Sequence, residues 1–179
     1  MKVVPPCFIL CAAIFSAAAA PAQQTAPFAP VPPSIASAKT IFLSNAGSDA
    51  GLFPSPFTGD PERPYDQLYT ALQASRRFSL VEDPSAADLV LELRLFAPYG
   101  PTNPNKSEGA SDPQPMLRLV VYDRKTHYIL WTLTQTVPAA VGQKNHDRKL
   151  DQALDEIAKN FLLLGTPQGA APSPAGTAP

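Results

Sequence analysis

Cysteine and histidine are scarce in this chain of 179 residues, which contains two of each. Cys7 and Cys11 both lie in the apolar amino-terminal stretch, so the rest of the chain has no disulfide, no Cys nucleophile and no Cys-based metal site. His127 and His146 stand apart from each other, whereas metal sites usually combine three or four His, Cys or carboxylate ligands at close spacing. We therefore predict no metal and no cofactor, and we interpret both histidines as exposed turn residues.

Positive and negative charges nearly balance, and the formal net charge is −1 at pH 7. This balance gives no electrostatic reason to expect nucleic acid or an anionic membrane surface as a partner. Serine-nucleophile motifs of the G-x-S-x-G kind and Gly-rich phosphate-binding loops are absent from the sequence too. We predict that the protein is not an enzyme, although a triad assembled from distant residues stays open as an alternative.

A long hydrophobic run is also missing, because the apolar stretch over residues 7–20 is shorter than the about 20 residues that a membrane-spanning helix needs. Lys2, this stretch and the small residues at its end are typical of a secretory signal peptide over residues 1–22. The sequence thus predicts a periplasmic or secreted protein with no transmembrane segment after cleavage. An uncleaved leader is the alternative; lipidation fits less well, because Leu10 precedes Cys11 where lipoproteins carry a small residue.

Proline lies mostly outside the periodic segments, and both ends of the chain are rich in Ala and Pro. Residues 23–38 have no hydrophobic period and are predicted to be a linker, and residues 166–179 a disordered tail. The region over residues 39–165 is long enough for a single domain with its own core. Two Gly/Pro-rich loops interrupt it, at residues 46–59 and 97–115; the second exceeds the usual loop length and is either disordered or functional.

Residues 117–137, LRLVVYDRKTHYILWTLTQTV, carry the clearest structural signal in the chain. On both sides of a polar cluster at residues 123–126, over 117–121 and 129–133, every second residue is Leu, Val, Ile or Trp. This period-2 pattern is typical of two antiparallel strands joined by a turn. Asp123 and Thr126 suit that turn because their side chains accept hydrogen bonds from nearby backbone N–H groups. The sequence therefore predicts a β-hairpin here.

A second strong alternation occurs in DLVLELRLF, residues 88–96, where every second residue is Leu. One apolar face and one mixed face predict a sheet that is covered on one side only. Further strands are predicted at residues 39–45 and 78–82, and amphipathic helices at 61–77 and 147–164. Together these elements predict an α+β fold of order β-α-β-β-β-β-α. We expect a two-layer sandwich with a five-stranded, mainly antiparallel sheet and both helices on the leucine face.

Two of these segments resemble a small domain type of the bacterial cell envelope. SAADLVLEL, residues 85–93, resembles its ADxVLxG strand, and VYDRKT followed by ILW, within residues 121–131, resembles its D-x-x-T-G-x-x-LW hairpin, with His127 where that pattern usually has Gly. Such domains occur at the amino end of the Tol-system periplasmic protein, in the curli-secretion lipoprotein and in lipoprotein activators of penicillin-binding proteins. The resemblance implies a non-enzymatic binding or assembly module in the envelope.

The mixed face of the predicted sheet is the candidate functional surface. Aromatic and branched residues lie there among Arg, Glu and Thr, a composition that suits a protein partner. The residues predicted to bind this partner are Phe96, Arg94, Arg118, Val120, Tyr122, Tyr128 and Leu130. We expect the partner to be another envelope protein or a second copy of the chain. Alternatively, these are the ordinary scattered apolar residues of a wet sheet face, or the loop at 97–115 covers them.

A second candidate function is that of a hydrolase or small-ligand-binding protein. It would use the loops at residues 46–59 and 97–115. This hypothesis requires a concave pocket in which His127 or His146 meets carboxylates.

Three carboxylates follow one another at helical spacing: Asp147, Asp151 and Asp155. Lys159 lies four residues after Asp155, and acids in the first turn favour a helix, so these residues are predicted to form a solvated charged face. A cation site on this face is the alternative.

Overall fold

The computed structural model describes residues 30–98 and 114–164. The predicted signal peptide at 1–22, residues 23–29 of the linker, residues 99–113 of the long loop and the tail at 166–179 lie outside the described residues. None of the helices within the described ranges is both long enough and apolar enough to cross a bilayer.

Five strands and three α-helices make up the described fold, which confirms the predicted α+β class and the five-stranded sheet. The elements are α1 Pro33–Ser37, β1 Thr40–Ser48, α2 Arg63–Ser75, β2 Ser79–Leu80, β3 Leu89–Phe96, β4 Met116–Asp123, β5 Ile129–Thr136 and α3 Gln143–Leu164. A short 3₁₀ turn, Pro84–Ala86, lies between β2 and β3. From β1 onwards the order is the predicted one.

The sheet is open, with the strand order β2-β1-β3-β4-β5. β1 pairs in parallel with both β2 and β3, whereas the pairs β3–β4 and β4–β5 are antiparallel. The sheet is therefore mixed rather than mainly antiparallel. Because α2 carries the chain back to the end where β1 began, β2 starts parallel to β1. The chain then passes the start of β1, where the Asp88 N–H donates to the Thr40 carbonyl at 3.0 Å, and β3 runs parallel to β1 as well.

The leucine face of the sheet is buried beneath the helices. Leu91 on β3 and Leu119 on β4 are fully buried, and they form one hydrophobic cluster with apolar residues of α2 and α3. The main helix residues in this cluster are Leu68, Leu72, Leu150, Leu154, Ile157 and Phe161. Trp131 on β5 is half-buried and packs against the same cluster. The structure therefore has the two predicted layers, a sheet and the helices that cover its leucine face.

α1 lies within the segment that the sequence predicts to be a linker. Its Ile35 side chain is fully buried and belongs to the core cluster, and Val31 and Ala38 pack against that cluster. A helix of only five residues, two of them Ser, offers no hydrophobic period from which it can be predicted. Residues 31–38 thus contribute to the core of the domain.

Aspartate carboxylates fix the positions of two elements. The Asp60 carboxylate accepts a hydrogen bond from the Arg63 N–H at 3.1 Å, at the start of α2. Asp88 Oδ2 accepts hydrogen bonds from the N–H groups of Lys39 and Thr40 at 2.8 and 3.0 Å. The second contact holds the beginning of β1 beside the beginning of β3, although the two segments lie far apart in sequence.

The hairpin turn has the predicted chemistry. Asp123 Oδ1 accepts the N–H groups of Thr126 and Lys125 at 2.7 and 2.8 Å, and these bonds, that of Thr126 first, lower the pKa of Asp123 below its ordinary value. His127 has a φ of 60° and donates its N–H to the Asp123 carbonyl at 2.8 Å. A left-handed φ explains why a sequence pattern of this kind carries Gly at that position, since Gly adopts it without steric cost.

Candidate functional site

The face of the sheet opposite the leucine layer is defined here as the open face. Cross-strand partners lie on the same side, so the register Val90↔Tyr122 and Phe96↔Met116 determines which residues share it. Its members on β1, β3, β4 and β5 are Phe42, Ser44, Val90, Glu92, Arg94, Phe96, Met116, Arg118, Val120, Tyr122, Ile129, Thr132, Thr134 and Thr136. The buried Leu, Ile and Phe residues of α2 and α3 pack in the leucine-side cluster, so these helices cover the leucine face.

An arginine and an aromatic ring lie together at one end of the open face. The Arg118 guanidinium carbon lies 5.5 Å from the centroid of the Phe96 ring, within the range of a cation–π contact. Arg118 Nε is buried and has no hydrogen-bond acceptor among the residues that the structure describes. The stacked guanidinium therefore retains a directed N–H donor that the described part of the fold does not use.

One apolar residue, Val120, lies at the centre of the open face. Val120 is only 5% exposed although it points away from the helices, and Tyr122 next to it on the same face is half-buried. Val120 lies between Glu92 of β3 and Thr132 of β5 in the register. Val120 is therefore shielded from solvent although it lies on the open face.

Arg94 is held by the loop that follows β1. Its guanidinium donates to Asp49 Oδ1 at 3.0 Å, and Asp49 Oδ2 accepts the Ala97 N–H at 3.0 Å. The Ala97 hydrogen bond and then the Arg94 contact lower the pKa of Asp49. Arg94 therefore has a fixed anionic neighbour on the open face, whereas Arg118 has an aromatic one.

The structure places five of the seven predicted partner-binding residues on the open face and two elsewhere. Tyr128 precedes β5 and is 73% exposed. Leu130 lies at a register shift, because Val121 pairs with Trp131 but Tyr122 pairs with Ile129. The extra residue on β5 removes Leu130 from the alternation, and its side chain packs against the core cluster instead.

The large apolar residues Phe42, Met116 and Ile129 of the open face are not among the predicted partner-binding residues. Phe42 is opposite Val90 across a parallel pairing, and that register has no local sequence signal. Ile129 takes the position opposite Tyr122 and is 59% exposed. The bulge that exchanges Leu130 for Ile129 on this face is not visible in the alternating pattern.

The two histidines lie in different settings. His127 borders a shallow cavity of about 420 Å³ together with Ser85 and Arg124. His146, near the start of α3, has its ring centroid 6.3 Å from that of the buried Phe57, in an edge-on arrangement. Among the described residues, no group of three or more His, Cys, Asp and Glu side chains is arranged to hold a metal ion.

The loop at residues 46–59 contributes to the core. Its first part belongs to β1, and Leu52 and Phe57 are buried in the core cluster. Two clefts of about 450 and 460 Å³ lie instead between α2 and α3, bordered in both cases by Ala71 and Asp155. Most of the loop at 97–115 falls outside the described residues.

The carboxylates at the start of α3 form an ion-pair network rather than a solvated face. Arg63 of α2 donates to Asp147 and Asp151 at 2.6 Å each. Asp147 also accepts the N–H and hydroxyl of Thr58 at 2.8 and 2.9 Å. The guanidinium thus occupies the position between these carboxylates, whereas Asp155 is exposed and borders the clefts between the helices.

No protein-family model and no curated protein matches this chain. Several solved structures have a similar backbone. A DUF4136 family protein from Bacteroides thetaiotaomicron is 15% identical with a TM-score of 0.46, covering 74% of this chain and 91% of that one. TolB from Acinetobacter baumannii is 14% identical with a TM-score of 0.41, and the match covers 71% of this chain and 28% of the TolB chain. The LpoB C-terminal domain from Salmonella enterica is 14% identical with a TM-score of 0.36, and the match covers 56% of this chain and 83% of that domain.

Proposed function

We propose that this protein is an exported binding module that docks another cell-envelope protein on the open face of its sheet. The observation that carries the proposal is the one-sided burial of the domain. α2 and α3 both pack on the leucine face, and the opposite face presents Phe96 and Tyr122 without a described helix over them. Aromatic side chains among Arg, Glu and Thr on a sheet face that no described helix covers are typical of a protein-interaction site.

The chemistry of the open face favours a protein partner. Arg and aromatic residues are enriched in the cores of protein interfaces, and here Arg118 lies over the ring of Phe96. The buried Arg118 Nε–H donor is suited to an acceptor on the partner, such as a backbone carbonyl or a carboxylate. Thr132, Thr134 and Thr136 add hydroxyl groups along the margin of the same face.

The proposed location is the periplasm or the cell exterior. The leader-like residues 1–22 support export, and the strand and hairpin motifs resemble those of envelope domains. The absence of cysteine after Cys11 agrees with a domain that an oxidising compartment leaves unaltered. A binding role needs none of the catalytic groups that the sequence lacks.

Site-specific photo-crosslinking in the native envelope tests the proposal. A photoreactive amino acid replaces Tyr122 on the open face in one variant, and exposed Glu156 on α3 in a matched control variant. We expect a defined adduct with another protein from position 122 and none from position 156. Equal adducts from both positions, or none from position 122, would contradict a docking role for the open face.

A further inference from the structure

β5 forms one edge of the sheet. It runs over eight residues, Ile129–Thr136, and among the described strands it pairs only with β4. Within residues 30–98 and 114–164, no backbone hydrogen bond joins its outer side to another segment. The other edge is different, because it ends in β2, which is two residues long. An exposed edge strand of this length is a template for a further strand.

The hydrogen-bond pattern shows which residues of β5 face outward. The Val137 N–H donates to the Pro115 carbonyl at 2.8 Å, so residues 115 and 137 form a hydrogen-bonded pair. In an antiparallel ladder such pairs alternate with non-bonded ones, and the residues of the latter direct N–H and C=O away from the neighbouring strand. Thr132, Thr134 and Thr136 therefore present their backbone groups at the edge. Among the described residues, one long hydrogen bond of 3.4 Å, from the Gln135 side chain, reaches the Thr136 carbonyl.

The edge lacks most of the usual protections against strand pairing. β5 has the sequence ILWTLTQT, with no charged residue and no proline. Natural edge strands are commonly protected by Lys, Pro, a bulge or shortness, and here only a bulge near the start is present. Because the strand is uncharged, a second β5 placed beside it brings no like charges together.

We propose that β5 pairs with β5 of a second copy of the chain, antiparallel and about a two-fold axis at Thr134, so that the two sheets become continuous. In this register Thr134 faces the partner's Thr134, and Thr132 faces the partner's Thr136. All three outward residues then exchange N–H and C=O groups, which gives about six backbone hydrogen bonds. The inference does not rest on the proposed function, since it concerns the unpaired backbone groups at the edge of β5, whereas the proposed function concerns the side chains of the open face.

The ends of β5 select this register. Centring the axis one residue earlier, at Leu133, would place Thr136 opposite Leu130, where the bulge disrupts the strand. Centring it one residue later would place Thr132 opposite Pro138, which has no N–H to donate. Thr134 is therefore the centre that uses every outward backbone group.

Side chains support the same arrangement. The three threonines share the open face, and cross-strand Thr–Thr pairs are favourable in antiparallel sheets. On the other side, half-buried Leu133 would face the partner's Gln135, and the second sheet would cover more of Leu133. The contact is self-complementary, as a two-fold interface requires.

The oligomeric state of the full chain tests the proposal, measured by light scattering after size exclusion over a range of concentrations. We expect the wild-type protein to have twice the monomer mass. Thr134→Lys places two ammonium groups beside each other on the axis and should give a monomer with an unchanged circular dichroism spectrum. Asn45→Lys, a matched substitution at an exposed position of β1, should leave the dimer intact. A wild-type monomer at all concentrations, or a Thr134→Lys dimer, would overturn the proposal.

Disulfide trapping tests the register in a background with Cys7 and Cys11 replaced by Ser. Thr134→Cys should crosslink on mild oxidation, because facing residues of a hydrogen-bonded pair lie about 5.5 Å apart between Cα atoms. Thr132→Cys should not, since its counterpart lies about 13 Å away along the strand. Crosslinking of Thr132→Cys with none from Thr134→Cys would contradict the proposed axis.

Discussion

The Arg63 guanidinium donates to Asp147 at 2.6 Å and so connects the start of α2 to the start of α3. A second nitrogen of the same group donates to Asp151 at 2.6 Å. Burial raises the pKa of Asp147, but the hydrogen bonds from Thr58 and Arg63 outweigh it, and the net pKa is lowered. This cluster fixes the relative position of the two helices that cover the leucine face.

Arg63→Ala should lower the free energy of unfolding by about 1–3 kcal/mol, because two charge-assisted hydrogen bonds are lost and their carboxylates stay partly buried. Urea unfolding at pH 7 measures the change. Lys159→Ala on the exposed face of α3 is the control and should change stability by less than about 0.5 kcal/mol. Equal losses in the two variants would show that the Arg63 network contributes nothing specific.

The partner of the α3 carboxylates in the ion-pair network could not be predicted from the sequence. Asp147 and Asp151 stand out in the sequence as carboxylates four residues apart on a helix, and the pattern predicts a helix face. Their partner Arg63 lies 84 residues before Asp147, and only the packing of α2 against α3 brings it there. Local spacing thus predicts which side chains share a face but not which distant group reaches them.

Leu91→Ala should destabilise the domain by about 2–5 kcal/mol, because Leu91 is fully buried and its truncation leaves a cavity in the core. Val90→Ala on the open face should cost much less, about 1 kcal/mol, because Val90 is half-buried and its neighbours can relax. Thermal or urea unfolding of both variants provides the comparison. Similar losses would mean that both faces of β3 are core.

Asp88→Asn should weaken the attachment of β1 to β3 in a pH-dependent way. Hydrogen bonds from the N–H groups of Lys39 and then Thr40 lower the pKa of Asp88 in the folded state. A lowered folded pKa stabilises the domain above the unfolded value of about 4, and this stabilisation is lost as pH falls through the folded pKa.

The stability difference between wild type and Asp88→Asn should therefore be constant above about pH 5 and shrink below about pH 4. Its size at pH 7 should be about 1 kcal/mol, since solvent screens this exposed carboxylate. Urea unfolding across pH 3–7 measures it. A difference that grows on acidification would contradict the ionised role of Asp88.

The sequence predicts most of the sheet because the patterns that indicate its strands and its hairpin turn involve residues close together in the sequence. The hairpin turn at Asp123 and the leucine alternation of β3 depend on neighbouring residues only, and both are present in the structure. The parallel pairing of β1 with β3 depends on where the chain returns after α2, which no neighbouring residue specifies.

The same limit applies to the candidate surface. Phe96, Arg118, Val120 and Tyr122 share a face because each strand alternates regularly, and period-2 reasoning predicts this. Leu130 does not lie on this face, because the register shift on β5 adds one residue to that strand. A bulge is a property of two strands together, so neither strand's own pattern contains it.

The central claim is that the open face binds a protein while the leucine face holds the fold. Its most direct test compares Tyr122→Glu with wild type for both stability and affinity toward the partner that photo-crosslinking identifies, with Glu156→Lys as the control. We predict that Tyr122→Glu weakens binding at least about tenfold, or about 1.4 kcal/mol, and leaves the domain folded with a cooperative unfolding transition. Unfolding of Tyr122→Glu, or unchanged affinity in a folded variant, would contradict the account.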